Sequence, residues 1–171
     1  MPNQIKNQYQ QVKAYADRLP EHVRDGIGLI LKGPVGTMKT SLALAVLRQW
    51  LEGDHGGQFI AMVSLLDTIF TLKDKNKELW VKFEDQIRNT QLLILDDLGT
   101  EYHQEWVLSK VDSIISERYN RMLPTIITTN LSNKDLKGKY AERIIDRLRS
   151  TSQVINFYGQ SLRSVYRSES A

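Results

Sequence analysis

The chain has 171 residues, 41% hydrophobic and 25% charged, with 23 Lys and Arg against 20 Asp and Glu and a formal net charge of +3. That length suits one compact domain with a sizeable core. No apolar run is long enough to cross a bilayer, the amino terminus M-P-N-Q-I-K-N-Q lacks the features of a secretory signal, and there is no cysteine, so a cytoplasmic protein without a membrane span is expected.

Ile5, Tyr9, Val12, Ala16 and Leu19 recur at helical spacing ahead of Pro20, which predicts an amphipathic helix in an amino-terminal flank, residues 1–25. From Gly28 the pattern changes. The short apolar runs G-L-I-L-K, Q-F-I-A-M-V, L-L-I-L-D, T-I-I-T-T and V-I-N-F alternate with segments of helical periodicity. Such alternation predicts an α/β domain over residues 26–163, a mostly parallel five-stranded sheet with helices on both faces, followed by a tail at 164–171. Leu42, Val46, Leu47 and Trp50 form one core stripe, Leu79, Phe83 and Ile87 a second, and Val107, Val111, Ile114 and Ile115 a third.

The first strand runs into G-P-V-G-T-M-K-T-S, Gly33 to Ser41, close to the phosphate-loop pattern G-x-x-x-x-G-K-[ST] and in the strand–loop–helix context that pattern needs. The loop Gly33, Pro34, Val35, Gly36, Thr37, Met38, Lys39, Thr40 and Ser41 would wrap an anion at a helix amino terminus with its backbone N–H groups, of which Pro34 has none. Lys39 adds a point charge, and the Thr40 hydroxyl can ligate magnesium. Met38 occupies the second glycine position. Helical dihedrals there would make methionine inexpensive, with its flexible chain turned to solvent or to an apolar patch.

L-L-I-L-D-D-L-G-T-E, Leu92 to Glu101, delivers acids to the carboxyl end of a buried strand, where open α/β sheets build sites. Asp96 is the magnesium candidate, and Asp97 or Glu101 would orient an attacking water. P-T-I-I-T-T-N ends a further strand in Asn130, whose amide can bond that water or a terminal phosphate; an Asn here can also be a simple turn former.

Together these segments resemble the AAA+ ATPases, a branch of the three-layer P-loop NTPases, and within them the DnaC/DnaI-type helicase loaders and IstB-like transposition ATPases. The resemblance covers residues 28–163. It implies a Walker A loop at Gly33–Thr40, a Walker B strand ending in Asp96 and Asp97, and a sensor strand ending in Asn130. E-R-I-I-D-R-L-R, Glu142 to Arg149, resembles the helix that carries the arginine finger, with Arg147 matching the finger and Arg143 a nearby candidate. Their spacing of four puts both on one helix face, opposite Ile144, Ile145 and Leu148, and projecting outward. Arg163 matches a terminal arginine near nucleotide, and no helical lid is expected after the last strand.

ATP with Mg2+ is therefore the expected ligand. The implied role is a slow, assembly-dependent ATPase that forms homo-oligomers and loads or remodels a replicative DNA helicase on single-stranded DNA. A transposition helper, a small-molecule kinase and a nucleotide-binding module with little hydrolysis are the alternatives. Met38, and Asp97 in place of the usual glutamate, both point to slow hydrolysis. Basic residues outnumber acidic ones eight to four from Lys134 to Ala171, and a lysine-rich loop, Lys73-Asp74-Lys75-Asn76-Lys77, is the candidate DNA contact. His22, His55 and His103 lack companions at metal-ligand spacing.

Overall fold

The computed structural model describes residues 3–100 and 105–163; Glu101, His103 and the tail at 164–171 lie outside them. A 3-10 turn, Asn3–Ile5, leads into α1 (Lys6–Asp17) and α2 (Leu19–Arg24), and then β1 (Gly28–Lys32), α3 (Lys39–Leu51) and β2 (Gly57–Ala61) follow. The chain continues through α4 (Met62–Lys75), α5 (Lys77–Asn89), β3 (Leu92–Asp96), α6 (Glu105–Asn120) and β4 (Thr125–Thr129), closing with α7 (Asn133–Lys139), α8 (Glu142–Ser150) and β5 (Ser152–Asn156).

All five strands are parallel, in the order β2-β3-β4-β1-β5. Side chains alternate between faces, so each strand feeds two cores. Leu29, Leu31, Leu92, Ile94, Ile126 and Ile155 pack against α1 and α3, whereas Ile30, Leu93, Leu95 and Ile127 pack against α4, α6 and α8. The result is a three-layer α/β domain. Its central strands β1, β3 and β4 end side by side, which puts Lys32, Asp96 and Thr129 along one edge of the sheet.

Several elements differ from expectation, each for a physical reason. Pro20 does not end the flank: it stands in the first turn of α2, where its missing N–H is not needed. On α1 the buried positions include Gln8 in place of Tyr9, because the Gln8 amide donates to the carbonyl of Asn156 at the end of β5, 3.1 Å away. The strand Q-F-I-A-M-V stops at Ala61, and Met62 and Val63 open α4. Leu79 is exposed; the packed stripe of α5 runs through Trp80, Phe83 and Ile87 instead. The lysine-rich loop is no loop. α4 continues through Lys75, and Asn76 alone separates it from α5, its side chain accepting from the N–H of Leu79 at 3.1 Å.

α6 and the strands beside it are locked by Arg118, only 1% exposed. Its guanidinium donates to the carbonyls of Ile87 (2.9 Å), Thr90 (2.8 Å) and Pro124 (2.7 Å) and to Thr125 Oγ1 (3.0 Å). Burial lowers its pKa to about 10, so it stays charged at neutral pH, satisfied by carbonyl oxygens that would otherwise be orphaned.

Candidate functional site

β1 ends where the chain must turn sharply into α3, and two glycines make the turn. Gly36 has φ 78° and Gly33 φ 151°; a Cβ on Gly33 would sit 2.3 Å from the carbonyl oxygen of Phe157, and one on Gly36 2.0 Å from Ser161 Oγ. The loop is thus clasped by the segment after β5, with the N–H of Leu162 donating to the Gly36 carbonyl at 2.9 Å. No side chain caps α3, whose amino terminus opens on a cleft of about 310 Å³. Uncapped N–H groups at a helix start form an anion site.

Residues 35–41 line this cleft together with Asp97, Asn130 and Arg163. The sequence therefore pointed to residues from four separate segments that the fold brings together. Gly33 and Pro34 lie underneath and supply carbonyl oxygens to the Lys39 ammonium, 2.8 Å from each; a third bond of 2.8 Å goes to Asn130 Oδ1. Burial lowers the pKa of Lys39, Asp97 and Asp96 raise it, and Arg163 lowers it again. Asn130 in turn donates to Asp97 Oδ1 at 3.3 Å, so one amide links the lysine to the acid. Asp96 is buried and accepts from the Thr40 hydroxyl at 2.8 Å.

Met38 does not meet the condition under which methionine would be inexpensive here. Its dihedrals are left-handed, φ 68° and ψ 14°, not helical, so the glycine of the pattern is replaced where glycine alone is free of strain. The side chain does find the expected apolar patch, half-buried against the core between α1 and α3. That contact offsets part of a conformational cost of about 1–2 kcal/mol. Met38→Gly should therefore bind ATP as well as the parent or more tightly by calorimetry. Met38→Val, β-branched at positive φ, should lower both the melting temperature and the affinity. A Met38→Gly protein that binds ATP more than tenfold weaker would mean that the thioether chain itself contributes to the site.

Arg143 and Arg147 do not project outward as a free pair. Both lie against α6 of their own chain: Arg143 pairs with Asp112, while Arg147 donates to Ser116 Oγ with its guanidinium carbon 5.4 Å from the centre of the Tyr119 ring. Sequence reasoning also passed over Thr128 and Leu162. Thr128 is one of three threonines in T-I-I-T-T, and the only signal for it is that period-two alternation places it on the face of Ile126, which faces the core under α3.

Magnesium is the metal the arrangement suits. The Thr40 hydroxyl and the Asp96 carboxylate are hard oxygen donors already joined by a hydrogen bond, and magnesium is commonly held by one or two carboxylates together with nucleotide phosphates. No cluster of three or more His, Asp or Glu able to cage a metal occurs among the described residues.

The family model of the IstB-like ATP binding proteins matches residues 7–170. The chain belongs to that family. Among its relatives, the replicative helicase loader DnaI of Bacillus subtilis is 24% identical over 152 residues, 81% of this chain and 48% of DnaI. An insertion-sequence ATP-binding protein of Sinorhizobium fredii is 29% identical over 147 residues, 83% of this chain and 59% of that protein. The crystal structure of the DnaC helicase loader superimposes with a TM-score of 0.81 at 26% identity, covering 92% of each chain. This IstB-like chain thus has the AAA+ P-loop fold, and it spans about half the length of the curated relatives it matches. No described helix is long and apolar enough to cross a membrane.

Proposed function

We propose that the chain hydrolyses ATP to load or remodel a replicative DNA helicase on single-stranded DNA. The observation that carries the enzymatic part is the linked set Lys39–Asn130–Asp97 beside Thr40–Asp96, all at the open amino terminus of α3. The ATP phosphates lie on the loop N–H groups and Lys39. Thr40 and Asp96 would hold Mg2+, which would supply neutralisation of the phosphate charge. Asp97 accepts a proton from the water whose oxygen attacks the terminal phosphorus, and ADP leaves with the electron pair of the broken P–O bond.

Arg147 is the proposed finger toward a second copy, and Arg143 its neighbour. To reach another subunit Arg147 must leave Ser116 and Tyr119, so assembly and turnover are coupled through that side chain. Arg163 adds positive charge at the cleft mouth. The partner is inferred from the likeness to DnaC and DnaI; the likeness to insertion-sequence proteins supports a second reading, a transposition helper acting with a transposase.

The test is size-exclusion chromatography of the chain with ATP, single-stranded DNA and either a hexameric replicative helicase or an insertion-sequence transposase. An ATP-dependent complex with the helicase is expected, together with phosphate release per chain that rises with protein concentration. A complex with the transposase alone would replace the loader by the transposition helper.

A further inference from the structure

Thr128 is fully buried and belongs to β4, yet its hydroxyl serves the end of β3. The register of these strands pairs Leu95 with Ile127, so one step further along the parallel ladder Asp96 and Thr128 stand side by side. Both continue the face of Ile94 and Ile126, which is the face covered by α3 and its Thr40. Thr128 Oγ1 donates to Asp96 Oδ1 at 2.6 Å and accepts from the N–H of Asp97 at 2.9 Å. A threonine hydroxyl has one proton to give and lone pairs to receive with, and here both capacities are used on adjacent acids.

The effect on each acid is distinct. Asp96 Oδ1 receives two hydroxyl donors, Thr128 and Thr40, which fixes the plane of the carboxylate and leaves Oδ2 without a hydrogen bond from the described residues. Asp97 has φ 57°, a left-handed conformation that a non-glycine residue holds only when its surroundings enforce it. The bond from its N–H to Thr128, and that from the Leu98 N–H to the Thr128 carbonyl (2.9 Å), supply that enforcement. The neighbouring Thr129 has another task, donating to the Leu98 carbonyl at 2.6 Å and accepting from the Leu131 N–H at 3.1 Å.

We infer that Thr128 is a positioning residue of the ATPase site, orienting the Asp96 carboxylate toward Mg2+ and holding the Asp97 turn in its reactive pose. This rests on the reading of Asp96 and Asp97 given above. Groups that orient a metal ligand from behind typically change metal affinity or activity by about 10- to 100-fold when removed.

The test compares Thr128→Val, which keeps shape and burial without the hydroxyl, with Thr128→Ser, which keeps the hydroxyl. Mn2+ binding to the protein saturated with a non-hydrolysable ATP analogue is followed by electron paramagnetic resonance, alongside kcat, KM and the melting temperature. Thr128→Val should weaken Mn2+ binding and lower kcat by about 10-fold or more with KM for ATP little changed, and Thr128→Ser should restore both. Equal losses in Val and Ser that track a fall in melting temperature would overturn the proposal in favour of packing alone. Parental Mn2+ affinity and kcat in Thr128→Val would overturn it as well, leaving the site reading intact. If the parent protein itself bound no Mn2+ with the analogue, the assignment of Asp96 to the metal would fall, and Thr128's role with it.

Discussion

Lys39→Ala should weaken ATP binding by roughly a hundredfold or more, about 3 kcal/mol, measured by calorimetry in the presence of Mg2+. Lys39 is 5% exposed, and its ammonium is held by Gly33, Pro34 and Asn130, three acceptors each 2.8 Å away. A charge fixed in this way acts at short range with little water between it and an anion, so its removal is felt more than that of a surface lysine. The same three bonds limit the gain it gives, because a phosphate oxygen must compete with loop carbonyls for the ammonium protons. Loss of the lysine also leaves Asn130 Oδ1 without its donor, which loosens the link from Asn130 to Asp97. The Lys39→Ala protein should keep its melting temperature within a few degrees, since the core between α1 and α3 does not depend on the ammonium. An affinity within fivefold of the parent would show that the α3 amino terminus and Arg163 hold the phosphates without help.

The parts of this site that could be read from sequence are those whose meaning is local. G-P-V-G-T-M-K-T carries its own turn chemistry, and L-L-I-L-D-D shows a buried strand ending in acids whatever lies beside it. The strands were legible because a parallel sheet buried on both faces needs short continuous apolar runs. What escaped was relational. Thr128 matters because β4 lies beside β3 in one register, and no pattern within T-I-I-T-T-N states that neighbour. The loop that carries Met38 is closed at Gly33 and Gly36 by the segment from Phe157 to Leu162, far along the chain, and the left-handed backbone at Met38 leaves no mark in the local sequence. Arg147 and Arg143 share a face as their spacing of four requires, but α6 lies along that face and takes both guanidinium groups. α7 gave no apolar signal because none of its residues is buried; its only sequence mark is the capping box in which Ser132 and Asp135 bond reciprocally.

Asp97→Asn should lower kcat for ATP hydrolysis by about 10²–10⁴-fold while leaving ATP affinity equal or slightly higher. Asparagine is the replacement that isolates the charge. It tolerates positive φ better than other residues with a Cβ, it keeps an oxygen to accept the 3.3 Å bond from Asn130, and its backbone N–H still reaches Thr128. Alanine at the same place would combine loss of the carboxylate with a strained turn. The side chain is half-buried and lines the cleft, whereas the buried Asp96 carboxylate is held by the Thr40 and Thr128 hydroxyls. The two adjacent acids therefore divide into a fixed carboxylate suited to metal and a facing carboxylate suited to a proton. Removing a negative charge beside a polyanion cannot weaken its binding electrostatically, so a drop in affinity with kcat unchanged would contradict the assignment of Asp97 as base. Full turnover in Asp97→Asn would shift that role to Glu101, the other acid of the same strand-end segment, and Glu101→Gln would then carry the loss.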